Sequence, residues 1–451
     1  MPASVPFLFF PLLTDVLLWL LIAAVAFYAW YCSRRPHLAL PWKRVFRSKA
    51  AMVCAVILAC FLLIGFADSL HFRPRLAGEA ARYSPEVLSV LDAALSRLRE
   101  RRERTYSAPL ATRLYSKEQM QVDGKTVRDF PRLAYGGAHL QDEADRPRDI
   151  AARIGLGLVC AAFAAVFLGL IVKRLRRRRS QVPWSAAGAT LLVILAVAFP
   201  VLFLSMQYHV LGTDKVGQDV LYQALKSVRV SLVIGTLTTL VLLPLGIALG
   251  IMAGYFRGWI DDVIQYLYTT LNSIPSVLLI AAAVLMMQVV IDRNADWFAT
   301  AAQRADFRLL VLCAILGLTS WTGLARLLRG EALKLSQLEY IQAAHAFGVA
   351  DARILSRHIL PNVAHIVIIA MVMDFSGLVL AEAVLSYVGV GVDPATTSFG
   401  TMINAARLEM GREPIVWWSL AAAFLFMFLL VLAANLFADA VRDGFDPRVR
   451  V

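Results

Sequence analysis

Apolar positions along this chain gather into nine blocks, near 9–31, 51–70, 154–172, 185–206, 229–254, 263–291, 308–328, 364–388 and 416–438. Each approaches about 20 residues, enough for a helix to cross a hydrocarbon core roughly 30 Å thick. Within lipid a single segment satisfies its own backbone only as a helix. The pattern predicts an all-α polytopic membrane protein with about nine transmembrane helices. Two stretches depart from it. Residues 71–150 read as a small soluble α+β insertion. There Val87, Leu91, Ala94, Leu95 and Leu98 recur at helical spacing opposite SRLRERRERT, and Asp123-Gly124 in MQVDGKTV marks a hairpin turn. The run Arg97 to Arg104, interleaved with Glu100 and Glu103, reads as a solvated helix face.

The second departure is Tyr340–Asn362, YIQAAHAFGVADARILSRHILPN, a helical hairpin between two apolar blocks. Helix formers run to Phe347, and Ala343 and Ala344 leave one face with little bulk. Gly348 tolerates the positive φ that ends a helix. Asp351 is placed to cap a second helix through Ile354, Leu355 and His358, and Pro361 to stop it. A short helix with a flat face, sharply broken, suits a groove on another protein.

Composition supports the membrane reading: 59% of residues are hydrophobic and 17% charged, below the usual quarter for soluble domains. The net charge of +13 would suit nucleic acid, but the basic residues lie between the apolar blocks. Arg34, Arg35, Lys43, Arg44, Arg47 and Lys49 follow the first block, and Lys173, Arg174 and Arg176 to Arg179 follow the third. Arg326, Arg329, Lys334, Arg353 and Arg357 surround the hairpin. With nine spans these links share one side, which the positive-inside rule makes cytoplasmic. The N-terminus is then outside, and the C-terminus, with Arg442, Arg448 and Arg450, inside. Arg293, Arg304 and Arg308 fall outside, accompanied by Asp292, Asp296 and Asp306. No Lys or Arg precedes the first block and an Arg pair follows it, so it reads as a retained anchor rather than a signal peptide. The five cysteines sit in or beside apolar blocks without metal spacing and read as packing residues.

Candidate chemistry is sparse. Asp214 and Asp219 in LGTDKVGQDV could form a carboxylate pair, but no His or Cys stands at ligand spacing. Asp219 is more simply a helix cap. Asp374 and Glu382 lie inside the eighth block, where ionisable groups are functional candidates. Asp374 could line a polar path; Glu382 could do so or pair with a serine or backbone group. Pro275 in LNSIPSVLLI predicts a kink whose freed carbonyl Ser273 or Asn272 meets. His345 and His358 fall on the hairpin as contact residues. No nucleophile–base set and no G-x-x-x-x-G-K-[ST] loop is present. The chain is therefore not expected to be an enzyme or to hydrolyse ATP.

The stretches LGTDKVGQDV, SVRVSLVIG, AGYFRGWIDD, LNSIPSVLLI, the hairpin ending ILPN, LSYVGVGVDPATTSFGTMINAAR and NLFADAVRDGFDPRVR form an ordered set. Together they resemble the C-type permease subunit of the dipeptide/oligopeptide/nickel family of ABC importers, over about 209–451 and more weakly over 42–70. The resemblance implies a type I importer permease core of six spans, here with three extra. It divides the chain into an extra N-terminal helix (1–35), the family's first span (42–70), an extracytoplasmic insertion (71–150), two extra helices (151–208) and the core (209–451, its transmembrane domain about 228–438). The hairpin resembles the family's EAA loop, the coupling helix that docks on the ATPase. That assigns coupling to Tyr340, Gln342, Ala343, Ala344, Phe347, Gly348, Arg353, Leu360 and Pro361. Asp374, Glu382, Asn272 and Pro275 become candidates for the path or gate. Asp214 and Asp219, with loops 209–220 and 389–407, become candidates for docking a binding protein or forming the outer gate. Implied partners are a second permease, two ABC ATPase subunits carrying ATP-Mg, an extracytoplasmic substrate-binding protein and membrane lipid, with no nucleic acid and no cofactor on this chain. Two residues depart from the pattern: Gln342 stands where the loop's glutamate would be, and Gln218 where an arginine is usual. The competing readings are a self-contained secondary transporter, against which no repeat of broken helices is visible, and a membrane sensor with 71–150 as receptor.

Overall fold

The computed structural model describes residues 7–75, 83–122, 125–175 and 182–445. In chain order it contains β1 (Phe7–Phe9), α1 (Leu13–Ser33), α2 (Pro36–Val45), α3 (Lys49–Ser69), β2 (His71–Pro74), β3 (Leu88–Ser89), α4 (Val90–Ala94) and α5 (Ser96–Glu100). Strands β4 (Glu118–Val122) and β5 (Lys125–Asp129) precede α6 (Arg146–Leu175), α7 (Trp184–Ser205), α8 (Val220–Phe256), α9 (Gly258–Ser273) and α10 (Ser276–Arg293). The rest are α11 (Ala301–Ser320), α12 (Thr322–Leu335), α13 (Glu339–Ala346), α14 (Asp351–Ile354), α15 (Leu360–Val388), α16 (Phe399–Glu409) and α17 (Trp418–Phe445). Among the described residues nine helical runs are long and apolar enough to cross a membrane. Two compact units share the chain, with α8 and α17 contributing to both.

One unit comprises Met1–Pro11, Phe46–Val230 and Thr397–Ala433. Its three-stranded sheet has the order β1-β2-β3, all antiparallel, with Phe9 opposite Phe72 and His71 opposite Ser89. The first apolar block therefore begins as a strand, and its helix starts only at Leu13. Aromatic side chains suit a pleated, half-buried surface, and Phe7 meets Phe72 edge to face with centroids 5.9 Å apart. The hairpin expected around Asp123-Gly124 forms as β4–β5, with Val122 opposite Lys125; the two turn residues themselves lie outside the described residues. A reciprocal cap opens α4: Ser89 Oγ accepts from the Asp92 N–H (3.1 Å) and Asp92 Oδ2 from the Ser89 N–H (2.9 Å). Helix α7 packs on α6 and α3.

The other unit comprises Leu12–Val45, Ser231–Thr396 and Ala434–Val451. Helix α1 packs on α11, where Asp306 receives both the backbone N–H (3.1 Å) and the hydroxyl of Thr14. The core gathers Leu242, Ile251, Trp321, Leu324, Leu328 and Leu378. Helix α8 approaches α12 so closely that a Cβ on Gly250 would lie 2.6 Å from the Ala325 carbonyl oxygen. The block expected as one kinked span over 263–291 is broken instead. Helix α9 ends at Ser273, Ile274 is extended (φ −93°, ψ 132°) and α10 begins after Pro275. The residue before a proline is pushed out of the helical region. Ser273 Oγ donates to the Thr270 carbonyl (2.7 Å), while Asn272 accepts from the Thr322 hydroxyl (3.1 Å).

Candidate functional site

The hairpin is fastened from within by isoleucines. Ile341 on α13, Ile354 on α14 and Ile359 beyond it are 2%, 0% and 0% exposed, set among Leu324, Leu328 and Val363. Helix α13 closes with paired reverse hydrogen bonds, Gly348 N–H to His345 O (2.9 Å) and Val349 N–H to Ala344 O (3.1 Å). That closure puts Gly348 at φ +76°. Outward stand Tyr340, Gln342, Ala343, Arg353 and above all Phe347, which is 87% exposed. Adjacent helical residues point about 100° apart, since a turn holds 3.6. The two alanines accordingly divide: Ala343 is exposed, whereas Ala344 packs against the core.

Two expectations are corrected here. Asp351 is the first residue of α14 and not its cap; Ala350 holds that position, and the Asp351 carboxylate accepts from the Tyr255 hydroxyl (2.7 Å). Pro361 does not stop the helix. Residues Leu355–Ile359 form a π turn in which the Leu360 N–H reaches Leu355 O, and Pro361 sits in the first turn of α15. A proline is tolerated there because its missing N–H has no obligatory partner, and the π turn shifts the register ahead of it. Asn362 Nδ2 then bonds the His358 carbonyl (2.6 Å) and the Tyr340 hydroxyl (3.1 Å), tying α13 to α15. Leu360 is partly exposed. Alongside, Arg329 of α12 grips Asp261 of α9 with two 2.6 Å bonds, a bidentate pairing that fixes both side chains. Sequence reasoning missed this pair, since 68 residues separate its members.

The candidates for a path fall on two places in the chain, Asp374 and Glu382 on α15 and Asn272 and Pro275 at the α9–α10 break. Glu382 is fully buried and accepts from the Ser386 hydroxyl (2.7 Å). Asp374 is half-buried, with no hydrogen bond or ion pair to another described residue. Asn272 and Pro275 are exposed at the α9–α10 break.

In the first unit, loop 209–220 carries a buried charge clamp. Asp219 caps α8, its Oδ1 accepting from the N–H groups of Leu221 (2.8 Å) and Tyr222 (3.2 Å). Its Oδ2 meets His209 Nδ1 at 2.7 Å, and His209 Nε2 lies 3.4 Å from Glu103 Oε1. Glu103 in turn accepts from the N–H groups of Ala134 (2.8 Å), Tyr135 (2.8 Å) and Gly136 (3.0 Å). A histidine thus does accompany Asp219, and the run expected as a solvated face buries one of its acids. No local spacing announces either contact. Asp214 is consumed by its own turn, accepting from Val216 N–H (2.9 Å), Gln218 N–H (2.8 Å) and Gln223 Nε2 (2.7 Å). Asp219, sealed at 0% exposure, presents nothing to a partner.

Burial opposes the charge on His209, but Asp219, bonded at Nδ1, and Glu103, paired at 3.4 Å from Nε2, prevail and raise its pKa to about 9. Burial likewise opposes ionised Glu103, and His209 with the three N–H groups lowers it to about 2. The histidine's contribution to stability is complete below its unfolded pKa near 6.5 and is lost as pH rises toward 9. The glutamate's is complete above 4.5 and is lost as pH falls toward 2. Thermal unfolding in detergent should therefore show a plateau between about pH 4.5 and 6.5 and a decline on both sides. In His209→Gln the alkaline decline should flatten; an unchanged alkaline limb would dismiss the clamp.

The model of the binding-protein-dependent transport system inner membrane component matches residues 246–451. The glutathione transport system permease protein of Pectobacterium atrosepticum is 33% identical over 285 residues, covering 59% of this chain and 87% of that one. The oligopeptide transport system permease protein of Mycobacterium tuberculosis is 33% identical over 296 residues, covering 62% and 94%. Among solved structures, an inward-facing methionine ABC transporter superposes with a TM-score of 0.36 at 16% identity, over 49% of this chain and 97% of the other.

Proposed function

This chain belongs to the family of inner membrane components of binding-protein-dependent transport systems, and we propose that it is the permease subunit of an ATP-driven importer of peptides or related small substrates. It is a multi-pass inner membrane protein. ATP and magnesium are held by two partner ATPase subunits, and a second permease completes the pore. An extracytoplasmic receptor delivers substrate. The observation that carries the reading is the hairpin: rooted by three buried isoleucines, it projects Phe347 with 87% of its surface uncovered. An aromatic projecting from a rigid base is what an interface anchor requires. Closure of the ATPases moves such an element as a body, and the spans beyond it switch between two arrangements. In this orientation the hairpin and the C-terminus face the cytoplasm, and residues 71–150 and the N-terminus face outward.

The complete transporter in proteoliposomes, supplied with labelled glutathione or short peptides, tests the proposal. Uptake should require ATP and persist when ion gradients are collapsed. Gradient-driven uptake by this chain without ATPases would overturn it in favour of a secondary transporter. Thiol labelling of a cysteine placed at position 345 should occur only from the cytoplasmic side.

A further inference from the structure

We infer that the insertion, through its exposed residues within 83–145, and not loop 209–220, is the surface on which the extracytoplasmic receptor docks. The inference rests on the permease reading. The loop is roofed by the segment Glu103–Ser107. Glu103 N–H donates to Gly217 O (2.9 Å), Thr213 N–H to Ser107 O (3.1 Å), and Ser107 N–H to Thr213 Oγ1 (2.7 Å), whose own hydroxyl donates to Thr105 O (2.9 Å). The fit leaves no space, since a Cβ on Gly217 would stand 1.8 Å from the Glu103 carbonyl oxygen. Thr213, Asp219 and Val220 are each 0% exposed. Of the loop, only the tip at Lys215 and Val216 is exposed.

A partner approaching this face therefore meets the insertion first. Two of its exposed cations, Arg102 and Arg128, make no side-chain hydrogen bond or ion pair with a described residue, whereas exposed Glu86 and Glu100 both lie within 3.8 Å of Arg99, and Arg104 within 3.7 Å of Glu118. Val127 and Tyr135, 44% and 42% exposed, add apolar surface to the insertion. The receptor's facing lobe is accordingly acidic. Once docked, it pulls on the pore through the clamp, because Glu103 holds His209 and His209 holds the cap of α8.

The test compares two charge-changing variants in the complete transporter, with receptor binding measured against time and salt. Arg102→Glu combined with Arg128→Glu should weaken receptor binding at least tenfold, mostly through a slower association rate, and remove most of its salt dependence. Lys215→Glu combined with Val216→Asp should bind like the parent. The reverse ranking overturns the inference. So does unchanged receptor affinity in the arginine variant accompanied by lost adhesion to anionic phosphatidylglycerol vesicles, which would mean that the face meets lipid. Basal ATP hydrolysis should survive in both variants; if the parent complex neither hydrolyses ATP nor binds any receptor, the permease reading fails instead.

Discussion

A transporter carrying Gly348→Val is expected to reach the membrane at the parental level and to lose at least about tenfold of its ATP-driven uptake. At φ +76° this residue lies in the left-handed region, which costs a residue with a Cβ about 1–2 kcal/mol and a β-branched one more. Nothing lies within 4 Å of a Cβ there, so the damage is conformational and stays local. To escape the strain the chain must give up the bonds from Gly348 and Val349 that close α13, and Phe347 and Arg353 lose their fixed relation. A distortion worth 1.4 kcal/mol is already tenfold in a rate. Asparagine tolerates this region, so Gly348→Asn should keep most of the uptake and serve as the matched control. Normal uptake by the valine variant would mean that the turn does not transmit force. Equal loss in both variants would mean that side-chain bulk, and not backbone conformation, is what the partner rejects.

The sequence revealed what repeats or is local. Nine apolar blocks correspond to nine membrane-length helical runs among the described residues, because hydropathy over about 20 residues is a property of each segment alone. Gly348 and the Asp123-Gly124 hairpin were legible for the same reason. What stayed hidden depends on distant residues. Phe9 reads as the start of a span until Phe72 of β2 pairs with it, 63 residues on (72 − 9). Glu103 looks solvated until His209 meets it. Pro361 signals a helix end by local rules, yet the π turn at Leu355–Ile359 carries the helix through it. Ile359 and Val363, locked into the core on either side of it, favour the continuous path. Gln342, the departure that weakened any acidic contact at the hairpin, merely bonds the Gln337 carbonyl at 3.2 Å. Under the proposed coupling role, contact falls to Phe347 and to Arg353, which is exposed and makes no side-chain hydrogen bond or ion pair with another described residue.

Lys226→Met should be the most damaging single change outside the hairpin. Its ammonium lies 2.6 Å from Asp92 and 3.1 Å from Asp68, both nearly inaccessible. Asp92 also accepts from the Tyr222 hydroxyl (2.6 Å), and Asp68 from the Ser89 hydroxyl (2.6 Å). Removing the cation leaves two buried carboxylates with these hydrogen bonds but without the lysine as counter-charge. Breaking a buried pair in this way costs about 3–5 kcal/mol; the lower end applies, because the lysine keeps 23% side-chain exposure. A loss of that size is a large fraction of a protein's stability, so the variant should accumulate poorly and melt well below the parent. Adding Asp92→Asn removes one of the stranded charges while an amide oxygen still receives the tyrosine, and should restore part of the loss. Hydrophobic replacement of a whole buried set can even be neutral, whereas removal of one member is not. Parental melting of Lys226→Met would show that these aspartates do not depend on the lysine, and no recovery in the double variant would show that a stranded charge on Asp92 is not the cause of the loss.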